Sequence, residues 1–247
     1  MNNNDKYEFE IKLPTILPVK KTEHFNIYYY PNSFAEKELE HIAIQREKAY
    51  EDILLFFNVT TDIGIDLYLF NDAETKEAET GHRGVGWAFD NVMAEIYNET
   101  TKCHPYHELV HVITDKIFGT TVSFFSEGLA VYISNYLMNQ DFGDYINYNI
   151  HDKVLASYRK NELFSLRDMF SLQIGESVSK PKISYPQAGS IIGYLYRHLG
   201  KERFLQLYKE LNPDYTEKGI NENIQIFEKY CNMTIGQANK EWLNIVA

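Results

Sequence analysis

Cysteine is nearly absent from this sequence: Cys103 and Cys231 are the only two, far apart among 247 residues. That excludes a disulfide-stapled scaffold and leaves a single bridge or two free thiols, with free buried thiols the default expectation. There is no run of lysine or arginine, and the net charge of −11 is spread along the chain. The electrostatic footprint that nucleic acid or an anionic membrane requires is therefore missing. No stretch approaches the roughly 18 consecutive apolar residues of a membrane span. The opening "MNNNDKYEFEIK" has neither the basic region nor the apolar core of a signal peptide, which points to a cytoplasmic protein, or to a secreted one whose leader was removed. Internal repeats, low-complexity runs and Gly/Ser linkers are absent too, so a domain division can show itself only as a change of periodicity.

What remains is 44% apolar and 15% aromatic, enough for one sizeable core or two small ones. "HFNIYYY" at 24–30 is β-prone and stops at Pro31, and "IGIDLYLF" at 63–70 alternates and stops at Asn71 and Asp72; both read as strands. Between them, after a cap at Asn32 or Ser33, the residues Leu39, Ile42, Ala43, Arg46, Ala49, Tyr50 and Ile53 recur at three- and four-residue steps. They predict one long amphipathic helix. Alternation over 84–98 predicts a strand with two differently used faces, and Gly84 and Gly86 at its start permit another backbone to come close.

Beyond Lys102 the strand signals cease. Helices are predicted at 104–117, 125–138, 143–160, 186–199, 201–211, 219–230 and 234–245, with Pro186 in a first turn and Gly200 as a C-terminal cap. The aromatics Tyr132, Tyr136, Tyr145 and Tyr148 are spaced for helix packing and expected in the core. The expected class is α+β: a mixed sheet, a long helix and the motif helix over 1–118, and a helical subdomain over 119–247.

The chemistry concentrates in "CHPYHELVH". On a helix, His107 and His111 lie one turn apart on one face and can reach a single metal ion, while Glu108 points beside them, where its carboxylate can take a proton from a metal-activated water. The plainer alternative is a pair of half-buried helix histidines with a solvated neighbour. His104, beside Pro105 at the helix entrance, reads as a surface or capping histidine, and Ser190 is not in a nucleophile elbow. A catalytic zinc usually takes a third protein ligand. Position 114 is Thr and position 117 is Ile, so the third-histidine pattern is absent. Glu127 in "FFSEGLAVYIS" has suitable spacing at the start of the next helix, in an apolar setting that disfavours a charge without a compensating cation. A first-turn glutamate favoured by the helix dipole is the alternative.

"HELVH" followed by "SEGLAVY", together with "YPQAGSIIGYLYRHLG", resembles the gluzincin zinc metallopeptidases, and within them the peptidase-MA-like group, over residues 24–245. The resemblance implies a zincin-like fold and Zn2+ held by His107, His111 and Glu127, with Glu108 as general base in peptide-bond hydrolysis. It implies that Tyr185 supplies a hydroxyl to the developing oxyanion, although a helix-entry aromatic packed beside Pro186 fits the same pattern. It also implies that the 84–98 strand is the sheet's edge, where Gly86, Trp87 and Ala88 would meet an extended peptide or protein substrate. Position 131 is Val where thermolysin-like members place an aspartate that orients a zinc histidine, and Asp115 follows His111 by four positions on the motif helix. An inactive zincin-fold protein that only grips or regulates a peptide is the second reading.

Overall fold

The computed structural model describes residues 13–14, 16–137, 149–174 and 181–247. It is a mixed α/β fold with one five-stranded sheet and, among the described residues, eleven helices. Two compact units divide it, Met1–Leu109 and Val110–Ala247. The division falls inside α4 (His107–Phe118), the helix that carries the motif.

In the first unit, β1 (Val19–Lys21), β2 (Phe25–Tyr29), β3 (Ile65–Phe70), β4 (Ala88–Phe89) and β5 (Val92–Ile96) make a sheet of order β1-β2-β3-β5-β4. β2, β3 and β5 run parallel, and β1 and β4 flank them antiparallel. Register puts Phe25 beside Ile65 and Ile27 beside Leu67, with Leu67 beside Met93, so these buried side chains share one face. Against that face lies α2 (Leu39–Phe57), which buries Ile42, Ala43, Ala49, Tyr50, Ile53 and Phe57. Tyr50 meets Phe25 edge-on at 6.2 Å. Each fully buried isoleucine or phenylalanine among these contributes about 1.5–3 kcal/mol. The opposite face is aromatic: Tyr28 stacks on Tyr68 at 4.4 Å, and Leu13, Leu17, Tyr30 and Trp87 pack around Tyr68, Phe70 and Ala94. β3 is thus covered on both sides, which is why it is apolar along most of its length.

The sequence reading differs from the structure at several points. The long helix is two: α1 (Phe34–Lys37), capped by Ser33, and α2, separated by Glu38. Glu38 leaves helical geometry, and its carboxylate accepts from the Tyr97 hydroxyl at 2.8 Å and Lys102 Nζ at 3.1 Å. The single strand at 84–98 is a hairpin, β4 and β5, because Asp90 adopts a left-handed conformation with φ 53° and turns the chain. The alternation ran unbroken through a turn that Asp90 and Asn91 signal. The short β1 and the polar α3 (Ala73–Thr80), capped by Asp72 and closed by a left-handed Gly81, carry too little apolar periodicity to be foreseen.

The second unit is helical: α5 (Ser123–Leu137), α6 (Ile150–Arg159), α7 (Leu166–Met169), α8 (Pro181–Leu199), α9 (Lys201–Glu210), α10 (Glu217–Cys231) and α11 (Ile235–Val246). The 143–148 part of the predicted 143–160 helix, residue 138, Tyr145 and Tyr148 lie outside the described residues. Tyr132 is half-buried, but Tyr136 is 66% exposed, against the core role expected of it. Pro186 is inside α8, and the first-turn position belongs to Pro181. Pro186 has no N–H to bond the carbonyl of residue 182.

α5 and α8 lie backbone to backbone. A Cβ on Gly128 would stand 2.6 Å from Ile192 Cγ1 and 2.8 Å from the Ala188 carbonyl, and one on Gly189 would stand 2.5 Å from Val131 Cγ1. An aromatic core of Phe124, Phe125, Phe170, Phe204 and Phe227 fills the space beneath, with Phe124 edge-on to Phe170 at 4.9 Å. Both cysteines are free and buried, as expected. No helix among the described residues is long and apolar enough to cross a membrane.

Candidate metal centre

The entrance of α4 is strapped to α2. Fully buried Arg46 on α2 donates from Nη1 to the Pro105 carbonyl at 3.1 Å and to Glu95 Oε1 on β5 at 3.2 Å. One residue on, the Tyr106 hydroxyl donates to Asp52 Oδ2 at 2.8 Å. His104 caps locally, its Nδ1 accepting from the Tyr106 N–H at 3.2 Å. It is half-buried rather than on the surface, and that burial, with His107 and Arg46 nearby, holds its pKa down to about 3.

From that fixed start the helix places His107, Glu108 and His111. Glu108 is 8% exposed. A Cβ on Gly86 would overlap the Glu108 carboxylate and stand 2.7 Å from Cys103 Sγ, so only glycine fits there. Behind them lies Lys76, wholly buried, its Nζ bonded to the His82 carbonyl at 3.0 Å and to His82 Nδ1 at 3.2 Å. Burial lowers its pKa, opposed by the charges of Glu108, Cys103 and Glu95. Burial raises Glu95, Arg46 pulls it back, and Glu108 adds to the rise.

Trp87 and Ala88 sit where the sheet ends. β4 is the outer strand, and the segment before it continues the ladder, with Ala94 N–H donating to the Trp87 carbonyl and Ile96 N–H to the Val85 carbonyl, both at 2.8 Å. Alternation points Val85, Trp87 and Phe89 to one side and Gly84, Gly86 and Ala88 to the other. Trp87 and Phe89 are near-parallel at 5.9 Å, and Phe89 is 60% exposed.

On α5, Ser126 and Glu127 face His111. His111 Nδ1 is 3.0 Å from Ser126 Oγ, and His111 Nε2 is 3.4 Å from Glu127 Oε2. One ligand atom each from His107, His111 and Glu127 all lie within 4.8 Å of one another, and all three residues are half-buried. This donor set suits zinc: two imidazole nitrogens and a carboxylate oxygen. Ligand atoms about 2.0–2.1 Å from a tetrahedral ion stand roughly 3.3–3.4 Å apart, the separation seen between His111 and Glu127. Asp115 also senses this pair: desolvation raises its carboxyl, His111 lowers it, and Glu127 raises it. Tyr185 is a half-buried residue within α8 rather than at a helix entrance.

Sequence reasoning missed Ser126, Arg46 and Lys76 as parts of this site. Ser126 had a signal, a hydroxyl directly before the candidate ligand. Val131, four positions after Glu127, is buried core and offers the histidine no polar partner.

Fold and donor set together define a mixed α/β protein compatible with a zincin-like fold and carrying a His/His/Glu cluster. No family model and no curated protein matches the chain. Among solved structures, yeast LTA4 hydrolase is similar with a TM-score of 0.50 and 14% identity, over 87% of this chain and 37% of that one. A two-domain M1 zinc metallopeptidase bound to L-tryptophan matches with a TM-score of 0.48 and 12% identity, over 92% of this chain and 50% of that one. An M1 zinc metallopeptidase from Deinococcus radiodurans bound to a Tyr-Ser-Ala substrate gives 0.46 and 12%, over 92% and 50%. The chain thus spans half or less of the length of each, and the likeness is one of fold.

Proposed function

We propose that this chain is a zinc-dependent peptidase of the gluzincin type. The observation that carries the reading is the convergence of His107, His111 and Glu127 ligand atoms within 4.8 Å, with buried Glu108 on the same helix. The fold shared with yeast LTA4 hydrolase supports it.

In this reading His107 and His111 offer imidazole nitrogens and Glu127 a carboxylate oxygen to Zn2+. When bound, zinc supplies Lewis-acid polarisation of a carbonyl and a water acidified from a pKa of about 15.7 toward about 7. Glu108 takes the proton of the attacking water on its carboxylate and returns it to the leaving amine. Gly86, by having no side chain, leaves that carboxylate its room. Tyr185 donates its hydroxyl to the carbonyl oxygen as charge develops there. Trp87 and Ala88, with Gly86, form the edge along which a peptide or protein substrate lies as one more strand, its backbone paired with the outer side of β4.

The test is elemental analysis of the purified chain, followed by cleavage of a quenched peptide library with and without chelator and with Glu108→Gln. The expected result is about one zinc per chain and cleavage abolished by chelator. Glu108→Gln should keep its zinc and lose activity by a factor of about 10²–10⁴. Zinc without cleavage would instead favour an inactive zincin-fold protein that binds or regulates a peptide, and absence of zinc would remove the peptidase reading while leaving that of a metal-free peptide-binding protein on the same scaffold.

A further inference from the structure

An exposed hydrophobic edge strand is an aggregation hazard, and proteins ordinarily blunt one with charge, proline or a covering element. β4 does the reverse. No strand lies beyond it among the described residues, and along its approach and length the side chains of Val85, Trp87 and Phe89 share one face. Val85 and Phe89 are 46% and 60% exposed, and Trp87 is half-buried. Arg83, the nearest cation in sequence, is turned to Glu74 and Glu77. The aromatic face is also held in place. Trp87 packs on the cluster of Tyr68, Phe70 and Ala94, lies near-parallel to Phe89, and stacks on the His82 ring at 6.3 Å. His82 is itself fixed, its Nδ1 accepting from the Gly84 N–H and from Lys76 Nζ, both at 3.2 Å. Rings positioned in advance offer contact area at little further cost in side-chain freedom.

Register decides what can use that face. Val85 and Trp87 turn their carbonyls inward to the N–H groups of Ile96 and Ala94. In an antiparallel ladder the residues between them turn theirs away from the sheet, so the outward row of backbone groups belongs to Gly86 and Ala88. A chain paired there sets its residues opposite Gly86 and Ala88 on the face of Glu108, since a Cβ on Gly86 would point at that carboxylate. The residues opposite Trp87 and Phe89 fall on the aromatic face, their Cβ atoms about 4.5–5.5 Å from those of the two rings. Side chains of the paired segment therefore alternate between the Glu108 face and the aromatic one.

We infer that Trp87 and Phe89 are specificity-determining residues, selecting extended peptide segments that carry aromatic or large aliphatic side chains at every second position. This rests on the reading of β4 as the edge along which substrate lies. An acidic side chain at those positions would lose water against the negative faces of two rings, and the net charge of −11 opposes it further.

The experiment measures peptide affinity in the full chain carrying Glu108→Gln, so that binding is read without hydrolysis. The probes are a blocked hexapeptide of serines with phenylalanine at its second and fourth positions, and the same peptide with leucine, serine or aspartate there. Trp87 supplies a fluorescence signal, since the other tryptophan, Trp242, is 1% exposed in the second unit. The phenylalanine and leucine peptides should bind roughly tenfold or more tighter than the serine one, and the aspartate peptide weakest. Phe89→Ser should leave the melting temperature unchanged, because the side chain is mostly in solvent, and cut the phenylalanine-to-serine ratio by about threefold to tenfold. Trp87→Leu, read by calorimetry, should cut it as much. Equal affinity for all four peptides, no binding of any, or a ratio unmoved in both variants overturns the inference. Cleavage by the unsubstituted chain, assayed separately, leaves the peptidase reading standing in that event. Selective binding without cleavage removes the peptidase reading and keeps the selective face. Self-association that Phe89→Ser abolishes, with no peptide bound, assigns the face to a second copy of the chain and overturns the inference too.

Discussion

Gly86 and Glu108 stand so close that no side chain fits between them: a Cβ on Gly86 would overlap the carboxylate and crowd Cys103 Sγ at 2.7 Å. Gly86→Ala therefore has to push Glu108 aside. With Glu108 as the proposed general base, the expected outcome is a fall in kcat of about tenfold or more, because such a base displaced by about an ångström loses its alignment. Zinc content should be unchanged, since neither histidine is touched. Steady-state kinetics beside elemental analysis checks this.

The Arg46–Glu95 pair is 1% and 0% exposed. Removing one partner leaves the other as an uncompensated buried charge where it is ionised, and Arg46→Met should cost about 3–5 kcal/mol, measured by urea unfolding in mildly alkaline solution. The pH dependence has a definite sign. Burial already raises Glu95, and without Arg46 its folded pKa stands further above the unfolded one. The loss should be full only above that raised folded pKa, on the alkaline side of neutrality, and shrink as acidification protonates the carboxyl.

Glu47 responds in the opposite direction. Burial works to raise it, but the His24 N–H at 2.8 Å, the Thr22 hydroxyl and the His24 ring at 2.7 Å outweigh that and hold its pKa low. A group with a depressed folded pKa stabilises above its unfolded value, and that contribution disappears as pH falls through the folded one. Glu47→Gln should thus lose about 1 kcal/mol near neutrality and little at pH 3, flattening the acid limb of the melting curve.

Gly128→Ala tests the contact of α5 with α8. A helix interior ordinarily gains about 1 kcal/mol from this change. Here the added methyl meets the Ala188 carbonyl at 2.8 Å, a backbone atom that cannot rotate away. Net destabilisation of about 1–3 kcal/mol is expected, measured by thermal melting. Weaker zinc binding should accompany it, because residue 127 is the adjoining position.

The candidate ligands were legible in the sequence because two of them lie one helical turn apart, and a helix converts that spacing into geometry without help from the rest of the chain. Glu127 was legible for a similar reason, as a charge in an apolar run at the start of the next helix. The supports were not. Arg46 reads as one more residue of an amphipathic stripe, and only the fold reveals that it reaches Pro105, 59 positions away. Ser126 pairs with His111 across 15 positions, and no periodicity encodes such a pair. The hairpin at Asp90 and the break at Glu38 were lost because alternation and helical spacing both continue through them, so a backbone turn leaves the apolar pattern unmarked.

The glycines where α5 meets α8 give the carboxylate at position 127 an unusual kind of reference point. Its location is inherited from how near two main chains can come, a distance fixed by atoms that every amino acid shares. Surface residues on either helix are then free to drift over evolutionary time without re-aiming that oxygen, whereas a single methyl group in the seam would shift it at once.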